Sequence, residues 1–187
     1  MVAFELRMPA DDRVHAELLF RPYRPEDAEA LYQAARESAG EGFSEWMPWC
    51  HADYSPEESR SYAHSRPAAW ERGEDYSLAV FDPNTGDLVA GCGLNQLSHE
   101  HGFANLGYWV RRSRWGRGIA VGCIRAASRL AFEQLGLGRV EIVVAVGNES
   151  SRRAAEKSGA WYEGVLRNRL VLHGARHDAW MFSHIPQ

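Results

Sequence analysis

The run Leu106-Gly107-Tyr108-Trp109-Val110-Arg111-Arg112-Ser113-Arg114-Trp115-Gly116-Arg117-Gly118-Ile119-Ala120 is the stretch whose reading decides the fold. It begins inside a predicted strand, Ala104–Val110. A basic loop follows, with glycines at alternate positions. A helix over Gly118–Leu135 starts at once, with Val121, Ile124, Ala127, Ser128, Ala131 and Leu135 on one face. A helix N-terminus offers unpaired N–H groups and the positive end of the helix dipole. Glycines let the backbone close on a ligand. Arg111, Arg112, Arg114 and Arg117 add positive charge. Together these features suit a pyrophosphate. The plainer alternative is a glycine-bearing strand-to-helix turn with solvated arginines. A dinucleotide fingerprint would need a third glycine where Val121 stands, and no G-x-x-x-x-G-K-[ST] motif occurs. Both observations disfavour a nucleotide-dependent enzyme.

A second strand-to-helix passage lies at Val146-Gly147-Asn148-Glu149-Ser150-Ser151. The strand before it, Val140–Val146, is almost wholly β-branched and reads as buried. The helix after it covers Ser150–Ser158 and stops at Gly159. Routine capping by Asn148 or Ser150 accounts for the polar residues at its start.

Outward from these two passages, strands are predicted at Glu17–Tyr23, Tyr76–Asp82, Leu88–Leu97, Trp161–Leu172 and Arg176–Ile185. Arg24-Pro25-Glu26-Asp27 opens a helix, with Ala28, Leu31, Tyr32 and Ala35 on one face. Ser55-Pro56-Glu57-Glu58 is a capping box for another helix, reaching Arg72 with Gly73 as its stop. Pro67 is expected to kink or interrupt it. Residues 1–15 read as a loosely ordered arm or a strand. The order βααβββαβαββ points to a single α/β (α+β) domain over 1–187, core 17–185. Its sheet is mixed and mostly antiparallel, with about seven strands flanked by about four helices.

The 187 residues are 45% hydrophobic and 25% charged, with formal charge −4, which is ordinary for a soluble protein and gives no global reason to expect nucleic acid. Cys50, Cys92 and Cys123 form no C-x-x-C pair, so neither a disulfide framework nor a zinc site is suggested. Charges at Glu5, Arg7, Asp11, Asp12 and Arg13 break any apolar run near the start. A cytoplasmic protein without membrane contact is expected.

The two passages together resemble the GCN5-related N-acetyltransferases (GNAT), and most closely the RimJ/RimL branch. The likeness runs from Glu17 to Ile185 and is strongest after Ala104. The paired tryptophans Trp46 and Trp49, Tyr162-Glu163-Gly164 and His177-Asp178 resemble the RimJ/RimL branch in particular. The resemblance implies acetyl-coenzyme A as co-substrate and no metal. It implies that Trp109 and Val110 line the pantetheine arm, and that Arg112, Gly116, Arg117, Gly118, Ile119 and Ala120 hold the pyrophosphate. Asn148 matches the asparagine that bonds the pantetheine, and Ser151 a serine three residues after it. Three departures stand out. Ser113 occupies a position where the family often has glutamine or arginine. Ala155 stands where many members carry a tyrosine acid. Gly159-Ala160 replaces the usual Gly-Phe.

The implied reaction moves an acetyl group to a primary amine, on a protein or peptide α-amino group or on a small molecule such as an antibiotic or polyamine. A nonenzymatic acyl-coenzyme A sensor is the alternative from another class, favoured if Trp46 or Trp49 blocks the pocket. The Val110 amide is the candidate oxyanion donor and Ser151 the candidate acid. Glu45, His51, Asp53, Glu163 and Asp178 all stay open as the base. An α-amine titrates near ~8 and lysine near ~10.4, so the α-amine is the easier acceptor. Phe43, Trp46 and Trp49 sit in a loop over 39–54, and Glu45, Trp46 and Trp49 are the candidate acceptor-binding residues. His99-Glu100-His101 lacks a third metal ligand, and Cys123 reads as packing. A homodimer is compatible with the sequence.

Overall fold

The computed structural model describes residues 4–11 and 14–186. Eight strands form one sheet in the order β1-β2-β3-β4-β5-β6-β8-β7. They are β1 (Leu6–Asp11), β2 (Val14–Pro22), β3 (Tyr76–Phe81), β4 (Leu88–Ser98), β5 (Phe103–Val110), β6 (Arg139–Ala145), β7 (Trp161–Leu172) and β8 (Ala175–His184). The helices are α1 (Ala28–Ser38), α2 (Pro56–Glu71), α3 (Ile119–Arg129) and α4 (Glu149–Ser158). The strand beyond the expected seven is β1, which lies inside the expected N-terminal arm and pairs antiparallel with β2. Alternation of Leu6, Met8 and Ala10 toward the core gives it a strand's pattern, the second of the two readings open for residues 1–15.

Neighbouring strands run antiparallel except β5 and β6. Those two pair in parallel only where Phe103, Ala104 and Asn105 face Arg139, Val140 and Glu141. Beyond Glu141, β6 continues beside β8 up to Ala145. The sheet is therefore split: β5 and β6 diverge like a wedge, and the wedge opens toward the two strand-to-helix passages.

Side-chain alternation assigns the faces. Leu78, Val80, Cys92, Leu94 and Leu106 join the main core with Ile124, Ala127 and Leu130 from the α3 side. Ala79 and Trp109 point the other way, toward Tyr23, just after β2, and Leu31 and Ala34 of α1. The α3 helix passes into a π-helical turn at Leu130–Gln134, so the single helix expected over 118–135 changes hydrogen-bond spacing in its last turn. α3 also packs on β1, where a Cβ on Gly122 would lie 2.9 Å from the Ala10 carbonyl oxygen.

α2 runs through Pro67 without interruption, as far as Glu71. Ala63, Ala69 and Trp70 are buried on both sides of it, and Trp70 meets the Tyr76 ring edge-on at 5.0 Å. Tertiary packing of the last turn offsets the lost backbone hydrogen bond.

Candidate active site

The edge of β5 is the first component. The Arg111 amide donates to the Val89 carbonyl at 2.9 Å, continuing the β4–β5 ladder in which Gly91 faces Trp109. Antiparallel alternation then turns the amides of Leu106, Tyr108 and Val110 away from β4, toward the wedge. β6 pairs with that edge only at Phe103, Ala104 and Asn105, and among the described residues no strand pairs with it beyond Asn105, at Tyr108 and Val110. The Val110 carbonyl accepts from the Trp115 indole at 2.8 Å, leaving the Val110 amide as the outward group. Trp109, whose backbone faces β4, sends its side chain to the opposite face.

The loop after β5 supplies the second component. Gly116 and Gly118 both have φ of +75°, a conformation that favours glycine. Gly116 faces open space. A Cβ on Gly118 would lie 2.4 Å from Asp11 Cβ, so β1 closes over one side of the loop. Ile119 and Ala120 begin α3, and their first-turn amides have no helical acceptor. The loop is fastened to α1: Arg111 pairs with Glu37 at 2.6 Å, the Ser113 amide donates to Glu37 at 2.9 Å, and the Arg112 amide to Ser38 Oγ at 3.1 Å. Burial alone would raise the Glu37 carboxyl, but the hydrogen bonds from Arg111 and Ser113 outweigh it and hold it down to about 2. Arg114 is tied to Asp87 at 2.7 Å and to Asp82 at 3.3 Å. Of the four arginines read from the sequence as an anion cradle, Arg111 and Arg114 thus brace the loop. Arg112 and Arg117 are exposed and make no ion pair among the described residues.

The α4 start faces the wedge from the β6 side. Asn148 caps the helix, its Oδ1 accepting from the Ser151 amide at 3.1 Å and from Ser150 Oγ at 2.9 Å. Ser151 Oγ lies 2.6 Å from the Tyr108 hydroxyl, which also reaches the Ser151 carbonyl at 3.1 Å. Burial pushes the Tyr108 phenol up to about 12, against a lowering contribution from Ser151. It stays protonated at neutral pH. Tyr108 is the site residue that sequence reasoning missed. The available signal was its spacing: it shares a face and an edge with Leu106 and Val110, directly opposite the passage carrying Ser151.

The third component is a cavity of about 590 Å³ on the α1–α2 side of β3, β4 and β5. Gly91, Gly93 and Gly107 form its floor; Trp49, Tyr54, Tyr62 and Trp109 form aromatic walls. Trp49 sits edge-on to Trp109 at 5.6 Å and to Tyr54 at 5.7 Å. The Tyr23 hydroxyl is buried with no hydrogen-bond partner among the described residues, and burial raises its pKa well above the usual value. Trp49 is a wall and leaves the cavity open. Trp46 does not line it; its ring packs toward Gly147, 3.4 Å from where a Cβ would stand. Glu45 is exposed and outside the lining. Among the five candidate bases only His51 lines the cavity. Glu163 is held by Arg139 and Ser183, and Asp178 accepts from the Asn168 amide in the β7–β8 hairpin.

His101 stacks on Phe103, and the described residues hold no cluster of three metal-ligating side chains. Cys123 is fully buried beside Cys92 and its thiol is pushed up by burial, so it packs. No helix among the described residues is long and apolar enough to cross a membrane.

Residues 17–160 match the acetyltransferase (GNAT) domain family. The chain is 29% identical over 177 residues to "Putative ribosomal N-acetyltransferase YdaF" of Bacillus subtilis, covering 91% of this chain and 92% of that protein. A solved structure described as a "putative ribosomal-protein-serine acetyltransferase" from Vibrio cholerae superposes with TM-score 0.78 at 30% identity, over 90% of this chain and 94% of its own. RimL, a ribosomal L7/L12 α-N-protein acetyltransferase solved with coenzyme A, shares the fold with TM-score 0.80 at 22% identity, over 96% and 98% of the two chains. This chain belongs to the GNAT acetyltransferase family, on its RimJ/RimL side. It is an N-acetyltransferase with acetyl-coenzyme A as co-substrate.

Proposed function

We propose that this protein acetylates the α-amino group at the N-terminus of a protein, of the ribosomal-protein type. The observation that carries the reading is a meeting of two spaces at one stretch of strand. The wedge between β5 and β6 takes an extended arm against the outward amides of Leu106, Tyr108 and Val110. The aromatic cavity reaches the same residues from the opposite face, through Gly107 and Tyr108. An acceptor amine in the cavity and a thioester in the wedge would converge there. The names of the relatives at 29% and 30% identity support a protein N-terminus as acceptor. So does the cavity's charge: its carboxylates, Glu58 and Asp75, are already bonded to His51 and Arg66 at 2.9 and 3.3 Å, which suits a single amine better than a polyamine.

The residues at the junction take these roles. Gly116, Arg117, Gly118, Ile119 and Ala120 present backbone amides and one cation to the pyrophosphate, with Arg112 beside them. Asn148 orients the start of α4. The Val110 amide donates to the oxygen on which negative charge develops. Ser151 gives its hydroxyl proton to the departing thiolate, and the neutral Tyr108 phenol holds Ser151 in place. Trp49 chooses the acceptor. A cytoplasmic setting follows from this function. The test is thiol release from acetyl-coenzyme A with peptides that copy ribosomal-protein N-termini. The comparison peptides have an acetylated N-terminus and a free lysine. Turnover of the lysine peptides alone would sink the α-amine reading.

A further inference from the structure

We propose that His51, oriented by Glu58, is the general base that takes the proton from the acceptor ammonium; the inference rests on the acetyl-transfer reading above. His51 Nε2 lies 2.9 Å from Glu58 Oε1. The other oxygen of Glu58 is fixed by the Ser55 amide at 2.9 Å and the Ser55 hydroxyl at 2.8 Å, at the capped start of α2. The hydrogen bond from Ser55 is the largest cause holding the Glu58 carboxyl below its usual range. It is a firmly ionised, fixed acceptor, and its bond to Nε2 selects the tautomer with the proton on that nitrogen. Nδ1 is then the basic nitrogen, and no hydrogen bond to it occurs among the described residues.

Position supports the same role. The short path from Trp49 to Pro56 bends back so that His51 packs edge-on to Tyr54, at 6.2 Å between rings, and Tyr54 continues to Trp49 and Trp109. His51 and Glu58 line the same cavity as Gly107 and Tyr108. The other charged side chains of the lining, Arg66 and Asp75, are bonded to each other. The imidazole is therefore the uncommitted proton acceptor on the cavity wall, within reach of an incoming amine directly or through one water.

The step balances as follows. His51 Nδ1 takes one proton from the ammonium, and the freed lone pair forms the N–C bond at the thioester carbonyl. Collapse breaks the C–S bond. Ser151 protonates the departing sulfur, and the second proton lost from nitrogen restores the Ser151 hydroxyl. His51 then releases its proton to solvent, and the products are an amide and a thiol.

The experiment uses one short serine-initiated peptide in two forms, at pH 6.5. The first has a free α-amine, mostly ammonium at that pH. The second has an aminooxy group in its place, which is neutral there. His51→Ala is expected to lower kcat/KM for the α-amine peptide by about 10²-fold. It should change the aminooxy peptide less than threefold and leave acetyl-coenzyme A affinity by calorimetry unchanged. Glu58→Gln keeps a capping box, since glutamine serves there too, and should lower the α-amine rate about tenfold with the same contrast. Equal losses on both peptides, or no loss on either, would overturn the assignment while leaving acetyl transfer intact. A wild-type protein that binds acetyl-coenzyme A but acetylates neither peptide would overturn the functional reading itself.

Discussion

The phenol of Tyr108 on β5 and the hydroxyl of Ser151 on α4 are 2.6 Å apart, across the wedge where β5 and β6 diverge. One oxygen cannot move without the other, so the two should behave as one unit. Ser151→Ala is expected to lower kcat for acetyl transfer about 10²-fold, with little change in KM for acetyl-coenzyme A. Tyr108→Phe keeps the ring and loses only the hydroxyl; about a tenfold loss is expected. The double variant should lose no more than Ser151→Ala alone. Additive losses in steady-state kinetics would show that Tyr108 acts elsewhere.

Trp46 and Trp49 divide between packing and recognition. Trp49 walls the cavity and is 37% exposed, whereas Trp46 leans on Gly147. Trp49→Ala should raise acceptor KM about tenfold, equivalent to roughly 1.4 kcal/mol, with acetyl-coenzyme A affinity kept. Trp46→Ala should chiefly lower the melting temperature. The reverse assignment of the two effects, in kinetics and melting curves on the same samples, would contradict the cavity geometry.

The glycine loop calls for a different variant from the obvious one. Any side chain at Gly118 meets Asp11, so Gly118→Ala tests the β1 contact as much as the ligand site. Arg117 is exposed and unpaired among the described residues. Arg117→Ala should weaken acetyl-coenzyme A binding severalfold while the melting temperature of the ligand-free protein stays within about 2 °C, as for other surface substitutions. An unchanged dissociation constant by calorimetry would remove Arg117 from the pyrophosphate site.

Acid sensitivity should report the brace between α1 and the loop. The folded Glu37 carboxyl sits at about 2, below its value near ~4.3 in an unfolded chain. A depressed folded value gives stability that is full above the unfolded value and lost as pH falls through the folded one. The melting temperature should therefore drop between about pH 4.5 and 2. Glu163, held to about 2 first by Arg139 and then by Ser183, contributes over the same window. Glu37→Gln should be less stable than wild type at pH 7 and show a shallower fall toward pH 3. Parallel pH curves for the two proteins would mean Glu37 adds nothing.

Strand and helix positions were largely legible because the patterns were local. The β-branched run at 140–146 and the Ser55–Glu58 box announce their elements within a few residues. The glycine loop between β5 and α3 was legible too, through its alternating glycines. What the sequence concealed were relationships across the fold. Arg111 and Arg114 look identical to Arg112 and Arg117 until Glu37, Asp82 and Asp87 are brought beside the first two. Tyr108 looks like one more strand aromatic until α4 delivers Ser151 to it. His51 was one of five open candidates, and only the cavity separates it from the others. Pro67 leaves α2 unbroken, a local rule offset by burial of Ala69 and Trp70.

On the proposed reading, the part of the β5 edge beyond Asn105 makes the co-substrate, in effect, a missing piece of the sheet. An open row of N–H groups is a template on which another chain can nucleate, and natural proteins usually cover such rows. Here the proposed covering group is a metabolite. By mass action, acetyl-coenzyme A at a hundred times its dissociation constant adds about 2.7 kcal/mol to the folded state. Depleting it should therefore leave a less stable molecule. On the proposed reading, the stability of the protein is thereby coupled to acetyl supply, through the β5 edge at Tyr108 and Val110.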